Sequence, residues 1–149
     1  MLLYLQLQFQ VPHELRRLIQ KKVNTLGLKD AVRFLGVQSD IPYYLQAIDV
    51  FLFPSLYEGL PVTLIEAQAA GLKSIVSDQV SKETKLTNLV EFVSLDASAK
   101  FWADEVLKYK SGYSREITSD TISKKGYDIK ANALELQNFY LKQYVLNLS

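Results

Sequence analysis

"VFLFPSLYEGLPVTLIEAQAAG", residues 50 to 71, runs from a nearly all-apolar stretch through a short polar loop into a second apolar stretch with helical spacing. Six residues ending in Pro54 and Ser55 read as a strand covered by helices on both faces, the mark of a parallel sheet. Pro61 fits the first helical position, where its missing N–H costs nothing, so a helix is expected from about 61 to 70. The N–H groups of Val62, Thr63 and Leu64 then face the carboxyl end of the strand together with the positive end of the helix dipole, which makes an anion site. In an open parallel sheet, ligands bind in that crevice. Glu58 lies in the loop and Glu66 about a turn and a half into the helix. Carboxylates only accept hydrogen bonds and repel an anion, so these two are expected to hold hydroxyls on either side of it. The ligand shape this predicts is a pyrophosphate between two polyols.

The same alternation of short strands and helices continues outward in both directions. Upstream, Leu5, Leu7, Phe9 and Val11 alternate with Gln6, Gln8 and Gln10, a strand pattern. A helix follows, opened by Pro12, with Leu15, Leu18, Ile19, Val23 and Leu26 on one face. "VRFLGV" (32 to 37) reads as a strand and "IPYYLQAI" as a short helix. Downstream come a strand at 74 to 77, a helical turn near 82 to 86 and a strand at 90 to 95. An amphipathic helix spans about 98 to 110, with Phe101, Trp102, Val106 and Leu107 on one side. Residues 111 to 120 read as a connector, and a last helix carries Ile129, Leu136, Phe139, Tyr140 and Tyr144. The order β-α-β-α-β-α-β-α-β predicts an α/β fold, a Rossmann-like parallel sheet flanked by helices with right-handed crossovers.

Composition narrows the function. The chain has 149 residues, 48% of them hydrophobic, enough for one domain over 1–149 with a sizeable core. Its 17 basic and 16 acidic side chains leave a net charge of +1, too small a field to hold nucleic acid. With no cysteine, disulfides and thiol catalysis are excluded, which fits a reducing compartment. No stretch has the roughly 18 to 20 consecutive apolar residues that a transmembrane segment needs.

"DIPYYLQAIDVFLFPSLYEGLPVTLIEAQAAGLKSIVSD", residues 40 to 78, resembles the nucleotide-sugar-binding half of GT-B fold glycosyltransferases, in particular the retaining GT4-like family of capsular and exopolysaccharide enzymes. Glu58 and Glu66 match that family's pair of glutamates with seven residues between them, and "RFLG" precedes them as expected. The likeness covers residues 12 to 95 well and the final helix loosely. It implies a UDP- or GDP-sugar donor, with Glu58 as the catalytic-site residue on the sugar and Gly59, Leu60 and Pro61 beside its hydroxyls. Val62, Thr63 and Leu64 would meet the diphosphate, Glu66 the ribose, and Phe34, Leu35 and Gly36 the base. It implies no cofactor and no obligatory metal, a glycan or lipid-linked acceptor, and a cytoplasmic location, peripheral at the inner membrane face.

The sequence departs from that family in places. "QFQVP" stands where a glycine-rich turn is expected, and Lys73 where many relatives have proline. The diphosphate-clamping Arg and Lys of the family have no counterpart here. The resemblance therefore implies a single C-terminal GT-B domain lacking its N-terminal partner domain, with residues 126 to 149 crossing toward that separate domain and no transfer by the chain alone. The alternative is a non-catalytic partner or scaffold subunit of a split glycosyltransferase. Asp78, Lys82 and Glu83 are expected near the crevice.

Overall fold

The structure is a computed structural model that describes residues 13–146. Its elements are α1 (His13–Thr25), α2 (Ile41–Ala47), β1 (Val50–Phe53), α3 (Val62–Ala69), β2 (Lys73–Ser77), a 3-10 turn (Lys82–Thr84), β3 (Val90–Val93), α4 (Ala99–Leu107), α5 (Ser119–Ile122), a π turn (Ser123–Tyr127) and α6 (Ile129–Leu146). Among the described residues the strands form a parallel sheet in the order β1-β2-β3, with Val50 opposite Lys73 and Ser74 opposite Val90.

Alternation along each strand builds three layers. Phe51 and Phe53 of β1, Val76 of β2 and Val90 and Phe92 of β3 point to one face, where they meet Leu64 of α3 and Val80. α2 joins that face through Leu45 and Ile48, packed on Ala67 and Leu72. Val50, Ile75 and Val93 point to the other face and meet Trp102 and Val106 of α4. The Trp102 indole donates to Ser94 O at 3.1 Å, so burying the ring leaves no polar atom stranded.

Side-chain caps fix two of the later helices. Ser98 Oγ accepts from the amide of Phe101 and starts α4. Asp128 Oδ1 accepts from the amides of Lys130 and Ala131 at the head of α6, and those bonds hold its carboxyl below the usual range. No helix among the described residues is long and apolar enough to cross a membrane.

Several sequence expectations need correction. Residues 32 to 37 are not a strand. An apolar, β-rich run becomes a strand only where a neighbour offers its N–H and C=O groups, and among the described residues no strand pairs with this one. Here the chain bends at Gly36 (φ +68), and Gln38 donates back to Leu35 O. The last strand stops at Val93 rather than 95, and α4 stops at Leu107. Phe101 and Leu107 do not share the buried face of Trp102 and Val106; they are about half exposed. On α1, Leu15 and Leu18 are also exposed. The alternating stretch at 5 to 11 lies outside the described residues.

The connector proves to be a strap beneath the domain. The Tyr113 hydroxyl accepts from the amide of Lys73 at 2.8 Å and donates to Asp49 O at 2.9 Å. The Arg115 guanidinium donates to Leu45 O (3.0 Å), Ala70 O (3.3 Å) and Ile48 O, so one cation serves the C-terminal ends of both α2 and α3. Thr118 Oγ1 donates to Gln68 O at 2.6 Å. The strap runs so close that a Cβ on Gly71 (φ +68) would lie 2.4 Å from Glu116 O, which explains the glycine there.

Candidate functional site

β1 ends at Phe53, and the chain returns to the sheet once before α3, where Glu58 forms an isolated parallel bridge with Val80. Val80 is buried under Leu64, so the backbone of Glu58 is held against the continuation of β2 while its side chain stays partly open. Ser55 Oγ lies 3.5 Å from Glu58 Oε1. Around this anchored carboxylate the loop exposes apolar side chains: Leu56 and Tyr57 are more than 80% exposed, and Leu60 and Val62 more than half. An apolar rim around a fixed acceptor suits a ligand with hydroxyls and flat apolar faces.

Pro61 is the N-cap of α3, not its first helical residue. Its ψ of 97° is extended, so its carbonyl accepts from the Leu64 amide at 2.9 Å. Leu64 is fully buried and its amide closes the first turn, so it cannot face a ligand as the sequence suggested. The backbone at the head of the helix is that of Val62 and Thr63, approached through Gly59. A side chain at Gly59 would find open space, so a ligand can come close to the backbone there.

Glu66 occupies the flank of α3. Leu64, Ile65, Ala67 and Gln68 are buried, whereas Val62 and Ala69 are exposed on the stripe that passes through Glu66. One turn of about 6 Å therefore separates Glu66 from Val62 on the same stripe, facing the crevice end. Partial burial raises the Glu66 pKa above its ordinary value of 4.5. A raised acid pKa means that folding favours the protonated form. The stability tied to Glu66 is present below 4.5 and lost as pH rises through the shifted value. Glu66→Gln should thus match wild type in urea denaturation at about pH 4 and have the higher midpoint at about pH 7. Equal midpoints at both pH values would show that the carboxylate is fully solvated.

Asp78 follows the end of β2. Its Oδ1 accepts from Gln79 Nε2 (3.1 Å) and from the Leu95 amide (3.2 Å), tying the ends of β2 and β3 together. The Gln79 contact first, then the Leu95 amide, Ser94 and the Lys82 charge, hold its carboxyl below the usual range. Lys82 Nζ sits 3.6 Å over the Phe92 ring. Asp78 and Lys82 both follow the carboxyl end of β2.

Phe34, Leu35 and Gly36 are anchored on α2. Gln38 donates to Leu35 O and accepts from the Tyr44 hydroxyl at 2.8 Å, and α2 in turn packs on α3. The bridge from Glu58 to Val80 escaped sequence reasoning. Its one signal is an apolar Val80 inside the polar run "SDQVSKE".

Parallel strands whose carboxyl ends open on a helix head, with two carboxylates beside it, define the class of α/β ligand-binding domains with a crevice site. The family model described as "Glycosyl transferases group 1" matches residues 10–108, and the chain belongs to that family. It is 36% identical over 125 residues to the putative glycosyltransferase EpsF of Bacillus subtilis, covering 82% of this chain and 33% of that protein. It is 31% identical over 129 residues to an Escherichia coli UDP-Gal:alpha-D-GlcNAc-diphosphoundecaprenol alpha-1,3-galactosyltransferase, covering 80% of this chain and 32% of that one.

The chain thus spans about a third of the length of these curated relatives. Among solved structures, WaaG, a glycosyltransferase involved in lipopolysaccharide biosynthesis, matches with a TM-score of 0.64 at 18% identity over 86% of this chain and 34% of that one. Anabaena Alr3699/HepE in complex with UDP-glucose matches with a TM-score of 0.68 at 16% identity, over 89% of this chain and 38% of that one. These likenesses show a shared fold, that of one part of a GT-B enzyme.

Proposed function

We propose that this chain is the donor-binding domain of a retaining glycosyltransferase that moves a hexose from a nucleotide sugar to a glycan or lipid-linked acceptor in surface polysaccharide synthesis. The observation that carries this is the head of α3: a proline-capped helix start at the carboxyl ends of the strands, with anchored Glu58 before it and partly desolvated Glu66 one turn along. The diphosphate lies against the amides of Val62 and Thr63 and the helix dipole. Glu66 accepts from the ribose hydroxyls, and Phe34 to Gly36 border the base. Glu58, with Gly59, Leu60 and Pro61, meets the sugar.

In this reading no metal is required, because backbone donors and the dipole supply the positive potential that the departing diphosphate needs. The relatives' names motivate the reading: one acts on UDP-Gal, and a fold neighbour was solved with UDP-glucose. Transfer itself needs a second domain across the cleft to hold the acceptor.

Isothermal titration of the chain with UDP and with GDP tests this. Binding of one is expected, insensitive to EDTA. Glu66→Ala, which removes a charged acceptor, should weaken it by roughly tenfold to a hundredfold, equivalent to about 1.5–3 kcal/mol. Absence of heat with both nucleotides, or an Ala variant as tight as wild type, refutes the assignment.

A further inference from the structure

The two flanks of α3 are packed differently. Ala67 meets α2, whereas Ile65, on the other flank, packs on Leu86 and Ile122. Beside that contact the 82–88 loop and the 116–125 segment part around a cavity of about 570 Å³. Sites for small molecules run from about 300 to 1,000 Å³, so the space holds more than a bare ion. Its walls are preformed, because Gln68 ties both of them. The Gln68 side chain donates to Thr84 O and accepts from the amides of Leu86 and Thr87, while its main-chain carbonyl accepts from Thr118 Oγ1. A preformed site loses little conformational freedom when it is filled.

What lines the cavity is a set of donors without acceptors. Lys82, Lys85 and Lys125 stand against the single carboxylate of Glu116 among the described lining residues. That local surplus is larger than the net charge of +1 carried by the whole chain. Lys82 Nζ rests over Phe92, but neither Lys85 nor Lys125 forms an ion pair among the described residues. The side chains of Asn88 and Thr121, also on the lining, make no hydrogen bond among the described residues.

We infer that this cavity is an anion site that takes a phosphomonoester, either a free one or the headgroup of a phosphate-bearing lipid. A phosphomonoester carries about −1.5 to −2 charges near neutral pH and offers three strong acceptor oxygens. That matches three lysines set against one glutamate, and it gives the Asn88 amide and the Thr121 hydroxyl an acceptor as well. A carboxylate, with a single charge and two oxygens, leaves both charge and donors unmet. The site stands apart from the nucleotide reading, since none of its lining residues belongs to the head of α3 or to Phe34–Gly36.

The test titrates the whole chain with glycerol phosphate and with glycerate, its carboxylate counterpart, and follows backbone amide shifts. In parallel the chain is sedimented with vesicles of phosphatidylcholine alone and of equimolar phosphatidylcholine and phosphatidic acid. Saturable binding of glycerol phosphate, about tenfold or more tighter than glycerate and with shifts centred on residues 82–88 and 116–125, assigns a free ester. Sedimentation only with phosphatidic acid, without a response to the soluble ester, assigns a headgroup. In either case the paired substitution Lys85→Gln and Lys125→Gln should weaken binding about tenfold or more. Both lysines are exposed, so the melting temperature should not change. Lys22→Gln with Lys110→Gln removes the same charge elsewhere on the surface and should leave binding within about twofold. The inference is overturned if neither probe binds, if glycerate binds as tightly, if both lysine pairs weaken binding equally, or if the shifts centre on residues 58–66.

Discussion

Replacing Gln68 with leucine should lower the stability of the domain by about 4 kcal/mol and its melting temperature by on the order of 10–15 °C. Gln68 has no exposed surface, yet its amide is fully used. Nε2 donates to Leu64 O (3.1 Å) and Thr84 O (2.9 Å); Oε1 accepts from the Leu86 amide (2.9 Å), the Thr87 amide (3.0 Å) and Thr87 Oγ1 (3.1 Å). Leucine preserves the volume and removes every partner. Two amides, a hydroxyl and a carbonyl are then left in an apolar interior, each costing about 1–3 kcal/mol, against a small gain from burying leucine.

The damage reaches the site. Residues 84 to 87 lie at and just after the 3-10 turn Lys82–Thr84, which follows Val80, and Val80 holds Glu58. Nucleotide affinity should therefore fall in the Gln68→Leu variant even at temperatures where it remains folded. Thermal melts by circular dichroism, with UDP titration below the transition, measure both effects. A melting temperature within a few degrees of wild type would mean that water replaces the amide in the variant.

The centre of the fold was legible because its signals are local. An apolar run of strand length, a Gly-Leu-Pro break and a helix-period apolar stretch lie within residues 50 to 71, and β1, the loop and α3 follow that order. Glu66 could be placed on the helix from spacing alone; its raised pKa could not, since desolvation depends on what packs around α3. The run at 32 to 37 has strand composition, but composition does not supply a neighbour, and among the described residues no strand pairs with it. Phe101 and Leu107 have the spacing of a buried stripe, but α4 has sheet under only part of its surface.

The strap was illegible for the opposite reason. Residues 111 to 120 are polar and aperiodic, and what they do is make single hydrogen bonds to carbonyls far away in sequence, as from Arg115 to Leu45, seventy positions apart. No local pattern encodes such a bond.

Arg115→Ala should accordingly be the second severe substitution, although Arg115 lies in a segment without regular structure. Three carbonyls converge on its guanidinium: Leu45 and Ile48 at the end of α2 and Ala70 at the end of α3. Carbonyls at helix C-termini have no intrahelical donor and carry the negative end of the dipole, so a cation there supplies both hydrogen bonds and charge complementarity. Alanine removes both, and water can reach only part of the site. The expected loss is about 3 kcal/mol, or on the order of 10 °C in melting temperature.

Arg115→Lys separates the two contributions. A lysine ammonium keeps the charge but cannot span three carbonyls with a planar fork, so it should recover less than half of the loss. If lysine restored full stability, charge alone would be the cause; if alanine changed nothing, the strap would not hold α2 against α3. Because α2 carries the Phe34–Gly36 segment through Gln38 and Tyr44, while α3 carries Glu66, the alanine variant should also lose nucleotide affinity in step with its stability. A variant that is destabilised but binds UDP as wild type does would separate the strap from the site.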